Sequence, residues 1–319
     1  MPVSQEQHRL LYRIAQAYYV DDLTQQQIAK RFGLSRPKVS RLLHKARDER
    51  IVNFTLVPPT SGMADHEREL EHKHGLEEVV IAPISDPDNH PTVVRELGPA
   101  AAECLVRCIS GKEIVGTEWG TTILAMVDAL PFRSWPNLTI VQMLGGLGPV
   151  GALEHSTELA RRMAQKFDAK LRLLPAPGIV STRTAAQELK SNHQISETLA
   201  LAAKADIAVV GLGVPSPLSV LLRDGTIITP EEVKRLKEAG AVGDIGLRYI
   251  DAYGKPLNLE LNERIIGLTL EQIMSIPRVI GVAGGTVKYE VIRAALRGKI
   301  LDVLVTDHIT AELLLAEAN

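Results

Sequence analysis

The chain has 319 residues, 45% of them apolar and 23% charged, with a formal net charge of −2 at pH 7. That length exceeds one small domain, and the ordinary composition excludes a fibrous or low-complexity protein. No apolar run reaches the ~18 residues of a membrane span, and the opening MPVSQEQHRLLYRI has no signal-peptide core, so a cytoplasmic protein without membrane contact is expected.

In chain order, residues 5–20 read as a first helix, with Leu10, Leu11, Ile14, Ala17 and Tyr18 on one face. Residues 24–47, TQQQIAKRFGLSRPKVSRLLHKAR, have the form of a helix-turn-helix. Thr24 caps a first helix that buries Ile28, Ala29 and Phe32. Ala29 is small enough for a steep crossing, Gly33 ends the helix in the left-handed conformation, and Leu34 fills the space beneath the turn. Ser35 caps the second helix, Pro37 sits in its first turn, and Val39, Leu42 and Leu43 turn inward. The candidate DNA-contacting residues are Gln25, Ser35, Arg36, Lys38, Val39, Ser40, Arg41 and Lys45, with Arg31 as a further phosphate contact.

Charge agrees with that reading. Residues 1–62 carry +5 and residues 63–319 carry −7, so a basic head precedes an acidic body. Binding to phosphates by such a head should depend strongly on salt. Ile51–Val57 alternates like a strand and suggests a wing. Pro58–Gly62, PPTSG, is a turn-rich break. The expected organisation is a helix-turn-helix domain over 1–57, a linker over 58–62 and an effector-binding and oligomerisation domain over 63–319.

Beyond the break, short β-branched runs alternate with helical segments. Strands are expected at Val79–Ala82, Ile114–Gly116, Thr139–Leu144, Leu171–Leu174, Ile207–Gly211, Val279–Val282 and Val303–Thr306. Helices are expected over 93–109, 121–130, 154–167, 184–203, 230–239, 287–297 and 309–317. The fold class is therefore α/β, a parallel sheet covered on both faces, preceded by an all-α head. The two cysteines, Cys104 and Cys108, lie one helical turn apart with no His or further Cys nearby in sequence. They read as buried structural thiols, and no metal or cofactor is expected.

In a parallel α/β sheet, ligands sit beyond the carboxyl ends of the strands. Four glycine-bearing loops fall there: 116–122, 145–148, 211–213 and 283–286. Glycine admits close approach of backbone N–H groups to an anion, and a following helix start favours negative charge. Four such loops on one edge suggest a pocket for a phosphorylated or highly hydroxylated small molecule.

The chain resembles the SorC family of bacterial sugar-responsive transcriptional regulators. The residues that carry the resemblance are LTQQQIAKRFGLSRPKVSRLL (23–43), GTEWGTT (116–122), LGGLG (144–148), LPAP (174–177), VVGLG (209–213), GAVGDIGLRYID (240–251), VAGGTVKYEVIRAALRGK (282–299) and VLVTD (303–307). They fall in the family's order over almost the whole chain. The resemblance implies an effector domain similar to sugar-phosphate isomerases and deaminases, a phosphorylated sugar or polyol as effector, a homotetramer and a palindromic double-stranded operator. Carried over by position, the effector set is Gly116, Thr117, Trp119, Gly120, Thr121, Gln142, Gly145, Gly146, Leu147, Gly213, Asp244 and Lys288.

Within that set Trp119 reads as a platform for a sugar face or as a core aromatic, and Lys288 as a phosphate or hydroxyl contact or as a solvated helix-start lysine. Arg248 and Asp251 read as braces of their loop. The strand before Gly145 carries Gln142-Met143-Leu144 and no lysine, so a Schiff base to a sugar aldehyde is unavailable there, while Gln142 can still hydrogen-bond a ligand. His308 stands where relatives carry an acid or amide. The competing reading is a sugar-phosphate isomerase- or deaminase-like enzyme with a regulatory head. Its general base would be Glu118, Asp244 or Asp251, with no adjacent histidine legible in the loops.

Overall fold

A computed structural model describes residues 5–52, 62–146, 150–215 and 228–317. The chain divides into two compact units, Met1–Ser61 and Gly62–Asn319.

In the first unit the described residues form three helices, α1 (Gln5–Tyr19), α2 (Gln25–Phe32) and α3 (Arg36–Asp48). Their periodic apolar faces meet in a core of Ile14, Ala17, Ile28, Ala29, Val39 and Leu43. Leu11, Ala15 and Ala46 form a second patch beneath Ile51 and Val52. Thr24 closes a capping box with Gln27 at the start of α2. At its end Gly33 takes φ +66°, and its N–H donates to the Ala29 carbonyl, a conformation that costs a side-chain-bearing residue about 1–2 kcal/mol. Ser35 has the extended backbone of an N-cap, but its side chain makes no capping bond. Of the expected wing, residues 53–57 lie outside the described residues. Thr24→Ala should cost about 1 kcal/mol of head stability, read as a lowered urea midpoint; an unchanged midpoint would remove the capping role.

The second unit is built on a seven-stranded parallel sheet. Its strands are β1 (Glu78–Ala82), β2 (Ile114–Thr117), β3 (Thr139–Gln142), β4 (Lys170–Arg172), β5 (Ile207–Gly211), β8 (Val279–Val282) and β9 (Val303–Asp307). Their order is β1-β9-β8-β5-β2-β3-β4. β5, β8 and β9 are buried along nearly their whole length, as runs of Val, Ile and Ala with both faces covered must be. One face packs on α5 (His90–Cys108), α6 (Thr121–Ala129) and α7 (Val150–Phe167). The other packs on α4 (Ala64–His74), α9 (His193–Ala202), α12 (Leu270–Met274), α13 (Tyr289–Arg297) and α14 (His308–Ala316). Among the described residues the remaining α-helices are α8 (Arg183–Ser191), α10 (Pro230–Glu238) and α11 (Glu260–Glu263).

Several expectations are corrected. Residues 184–203 form two helices, because the Asn192 side chain accepts from the N–H groups of Gln194 and Ile195 and starts α9 afresh. β3 stops at Gln142, and β4 is Lys170–Arg172 rather than Leu171–Leu174. α4 was not expected; six residues of its sequence ADHERELEHKH are charged and three are histidines, and Leu70 is its one buried residue. Nor was an antiparallel hairpin of β6 (Gly243–Ile245) and β7 (Arg248–Ile250). Its two-residue loop puts Gly246 at φ +56° and Leu247 at φ +63°, which suits a tight hairpin turn.

Candidate functional site

The carboxyl ends of β2, β5 and β8 open onto a cavity of about 620 Å³, the size of a small-ligand pocket. Its wall is completed by the β6–β7 hairpin, the start of α5 with the preceding loop, and the start of α13. Glu118, Asp244 and Lys288 reach it from three separate segments of the chain. Glu118 follows β2 and is only 5% exposed. Its Oε1 accepts from the Gly211 N–H at 2.7 Å, and the Gly246 N–H also donates to this carboxyl. Asp244, on the hairpin, is 7% exposed, and its Oδ2 accepts from the Leu247 N–H at 3.0 Å. That bond holds the one side-chain-bearing residue of the turn in its left-handed conformation.

Burial and mutual repulsion set the charges here. Burial, then the Asp244 charge, pushes Glu118 well above the usual carboxylate range. Burial pushes Asp244 up to about 6. Burial also pulls Lys288 down to about 8, against the attraction of both acids. His90, exposed at the rim, sits below its ordinary value through desolvation and the Lys288 charge. Its Nε2 lies 3.4 Å from Thr121 Oγ1. α6 begins at Gly120 with no side-chain cap, so its first-turn N–H groups add an anion-seeking end to this wall.

Gly213 explains how the hairpin approaches so closely. Its N–H donates to the Asp244 carbonyl at 2.9 Å, and its carbonyl accepts from the Asp244 N–H at 3.0 Å. A Cβ at position 213 would collide with the Asp244 carboxylate. The role of this glycine is therefore room for Asp244; its N–H is already committed.

Of the expected effector residues, Trp119, Gly120, Thr121, Gly213, Asp244 and Lys288 line the cavity. Trp119 does so while packing against two apolar cores. The other described ones are not among the residues that line the cavity. Gly116 and Thr117 are buried within β2; the missing side chain at 116 admits Met143, and Thr117 is 1% exposed with Oγ1 on the Glu118 carbonyl. Gln142 is 2% exposed; it donates to the Leu144 carbonyl at 2.8 Å and accepts from the Leu174 N–H at 3.2 Å. It ties two loops together instead of facing the cavity. The Gly145 and Gly146 N–H groups are spent on the Ile266 and Ala176 carbonyls, and Leu147 lies outside the described residues. Arg248 braces its loop, donating to the carbonyls of Leu268, Asn262 and Gly267. Asp251 accepts the N–H groups of Tyr253 and Lys255, which places it in a turn and not at the cavity. His308 accepts from the Ile84 N–H through Nδ1.

The sequence offers no sign that His90 and the segment around it belong to the site. Sequence reasoning considered Glu118 only as a catalytic base. The signal for Glu118 was present: an acid inside a glycine-rich strand-to-helix loop, the same signal that picked out its neighbours.

In the head, Arg36, Lys38 and Arg41 are exposed along α3, with Ser35 exposed at its start and Gln25, Ser40 and Lys45 partly so. Val39 is a correction: it is 0% exposed and belongs to the core. The helical period puts 39 and 43 on the same inward face. Arg31 pairs with Asp21 at 3.6 Å and lies over the Phe32 ring.

The chain matches two family models: "Putative sugar-binding domain" over residues 58–316 and "Sigma-70, region 4" over residues 12–49. It is 31% identical to the deoxyribonucleoside regulator of Bacillus subtilis over 98% of this chain and 99% of that one. It is 32% identical to the transcriptional regulator LsrR of Klebsiella pneumoniae, over 98% and 94%. The solved full-length sorbitol operon regulator SorC of Klebsiella pneumoniae superposes with a TM-score of 0.72 at 29% identity, covering 98% of this chain and all of that one. A DeoR family transcriptional regulator from Listeria monocytogenes superposes with a TM-score of 0.74 at 31% identity, over 80% of this chain and all of that one.

Proposed function

The chain belongs to the SorC family of DNA-binding, effector-controlled transcriptional regulators, and we propose that its effector is a small phosphorylated sugar or polyol bound in this cavity. The observation that carries the reading is the convergence of Glu118, Asp244 and Lys288 from three separate segments on one cavity. Carboxyl groups bond sugar hydroxyls, as acceptors when ionised and as donors when protonated. Lys288, the open start of α6 and His90 at the rim supply the end that takes a phosphate. Trp119 offers an apolar face beside them. The relatives named for deoxyribonucleosides and sorbitol fit a polyhydroxylated ligand.

The head holds a palindromic operator in the cytoplasm, and the assembly is a homotetramer. Gln25, Ser35, Arg36, Lys38, Ser40 and Arg41 meet base edges and phosphates, and Lys45 meets phosphate. The effector selects one arrangement of the subunits and so changes how well two heads fit two half-sites. Lys45→Ala should weaken binding to an operator selected from a random DNA pool and lower the steepness of its salt dependence by about one. Arg41→Ala should cost about 1–3 kcal/mol and relax sequence preference. Wild-type affinity and selectivity in both variants would overturn this assignment.

Thermal unfolding against a panel of sugars, polyols and their phosphates tests the effector class, because a ligand of the folded state raises the midpoint. A shift confined to phosphorylated compounds supports the reading, and a shift only with unphosphorylated ones corrects it. The second reading is an isomerase- or deaminase-like enzyme. The observation in its favour is that Glu118 and Asp244, shifted carboxyls of the kind active sites use, share the cavity with Lys288. It requires turnover of pentose or amino-sugar phosphates by the purified protein, and absence of product removes it.

A further inference from the structure

At the other end of α5 from His90, the structure gathers three groups that the effector cavity does not use. Cys104 and Cys108 lie one turn apart near the carboxyl end of α5, and Glu78 opens the adjacent β1. The two sulfurs and a Glu78 carboxylate oxygen all lie within 4.8 Å of one another. Cys104 is fully buried and Cys108 partly exposed, so the cluster has a floor and an entrance. The sequence spacing offered two ligands and no third; the third comes from a strand 26 residues before Cys104, brought alongside by the helix-on-sheet packing.

We infer that Glu78, Cys104 and Cys108 form a binding site for a thiophilic divalent cation of the zinc or cadmium class. Two sulfurs and one carboxylate oxygen are three ligands of a tetrahedral site with an open fourth position. Zinc–sulfur and zinc–oxygen distances of roughly 2.3 and 2.1 Å put ligand atoms about 3.5–3.8 Å apart, so side-chain rotation closing the triangle by about 1 Å completes it. The surroundings suit such an ion. Two thiolates, a carboxylate and a divalent cation leave one negative charge. Arg107, which pairs with Glu78, and Arg278, which hydrogen-bonds Cys108, offset it. Neither arginine is stranded when an ion takes its partner: Arg107 retains Glu103 at 3.8 Å and Arg278 retains Glu77 at 2.7 Å.

Cadmium alone is the probe. The full chain, kept reduced with a phosphine, is titrated with Cd2+ while thiolate-to-cadmium charge-transfer absorption is followed in the ultraviolet. The expected result is one ion per chain, loss of the absorption in C108A, and at least about tenfold weaker binding in E78Q with both thiols present. Each variant's thermal transition, unchanged without metal, shows that it is folded. C108A, altered at the partly exposed position, keeps the test valid if E78Q is unstable. Absence of charge-transfer absorption in the wild type, full absorption in C108A, or wild-type affinity in a folded E78Q overturns the site.

Discussion

Replacing Lys288 with methionine should weaken effector binding by about 10- to 150-fold, while the DNA affinity of the free regulator stays at its wild-type value. A charge-assisted hydrogen bond to an anion is worth about 1.5–3 kcal/mol. Methionine preserves the stem and removes only the ammonium. Lys288 titrates near 8, so wild-type affinity should fall as pH rises through about 8, while the variant shows no such step. Calorimetric titration with whichever compound the thermal panel identifies reads both effects. Equal affinity in the two proteins, or the same pH step in the variant, would place the anion elsewhere in the cavity.

Asp244→Asn should change the pH dependence of stability in a defined direction. The Asp244 carboxyl is raised from 3.8 in a free chain to about 6 in the folded protein, so between those values the folded state holds a proton that the unfolded state has lost. Its contribution to stability is present below about pH 4 and is lost as pH rises towards about 6. The stability of wild type minus that of the asparagine variant should therefore fall across this window by an amount on the order of 3 kcal/mol, then level off. The effect arises because Asp244 is buried to the extent of 7% exposure, and only part of the cost is recovered by the Leu247 N–H. Urea unfolding of both proteins from about pH 4 to about pH 7 measures the difference. Parallel curves would mean that the carboxyl is solvated. The same variant should bind the effector more weakly, since an amide accepts from hydroxyls less strongly than a carboxylate.

The parallel sheet was legible in the sequence because its strands are buried on both faces, which forces continuous runs such as IAVVG and VLVTD. The head was legible because Gly33, Pro37 and the inward Ile28 and Leu43 each meet a separate geometric demand. The β6–β7 hairpin was hidden because strands of three residues have too little alternation to register. α4 was hidden because charged residues dominate its surface and its burial rests on Leu70.

In the cavity, strand-end glycines located the correct edge of the sheet but not the correct loops. Gly120 and Gly213 line it, whereas Gly145 and Gly146 use their N–H groups within the protein. Which way a backbone N–H turns depends on the neighbouring loop, and here that neighbour is the Ile266 or Ala176 carbonyl, far away in sequence or across a strand. His90 was invisible for the same reason: its relation to Thr121 and Lys288 exists only once α5 lies beside α6 and β8.

The sheet order carries a consequence for synthesis. Among the described residues β1 lies at the edge of the sheet, and its only neighbour there is β9, with Glu78 opposite Val303. The first strand to leave the ribosome therefore waits for the last before it can pair. Lys73 of α4 waits too, since its ammonium bonds the carbonyls of Leu314, Leu315 and Glu317. The head has no such delay, because its core joins residues within one short segment. On a growing chain the head can fold while the sensor is still incomplete. A nascent or C-terminally truncated chain would then present a DNA-reading module with no effector control over it, so completion of the final strand and helix is what places the regulator under command of its ligand.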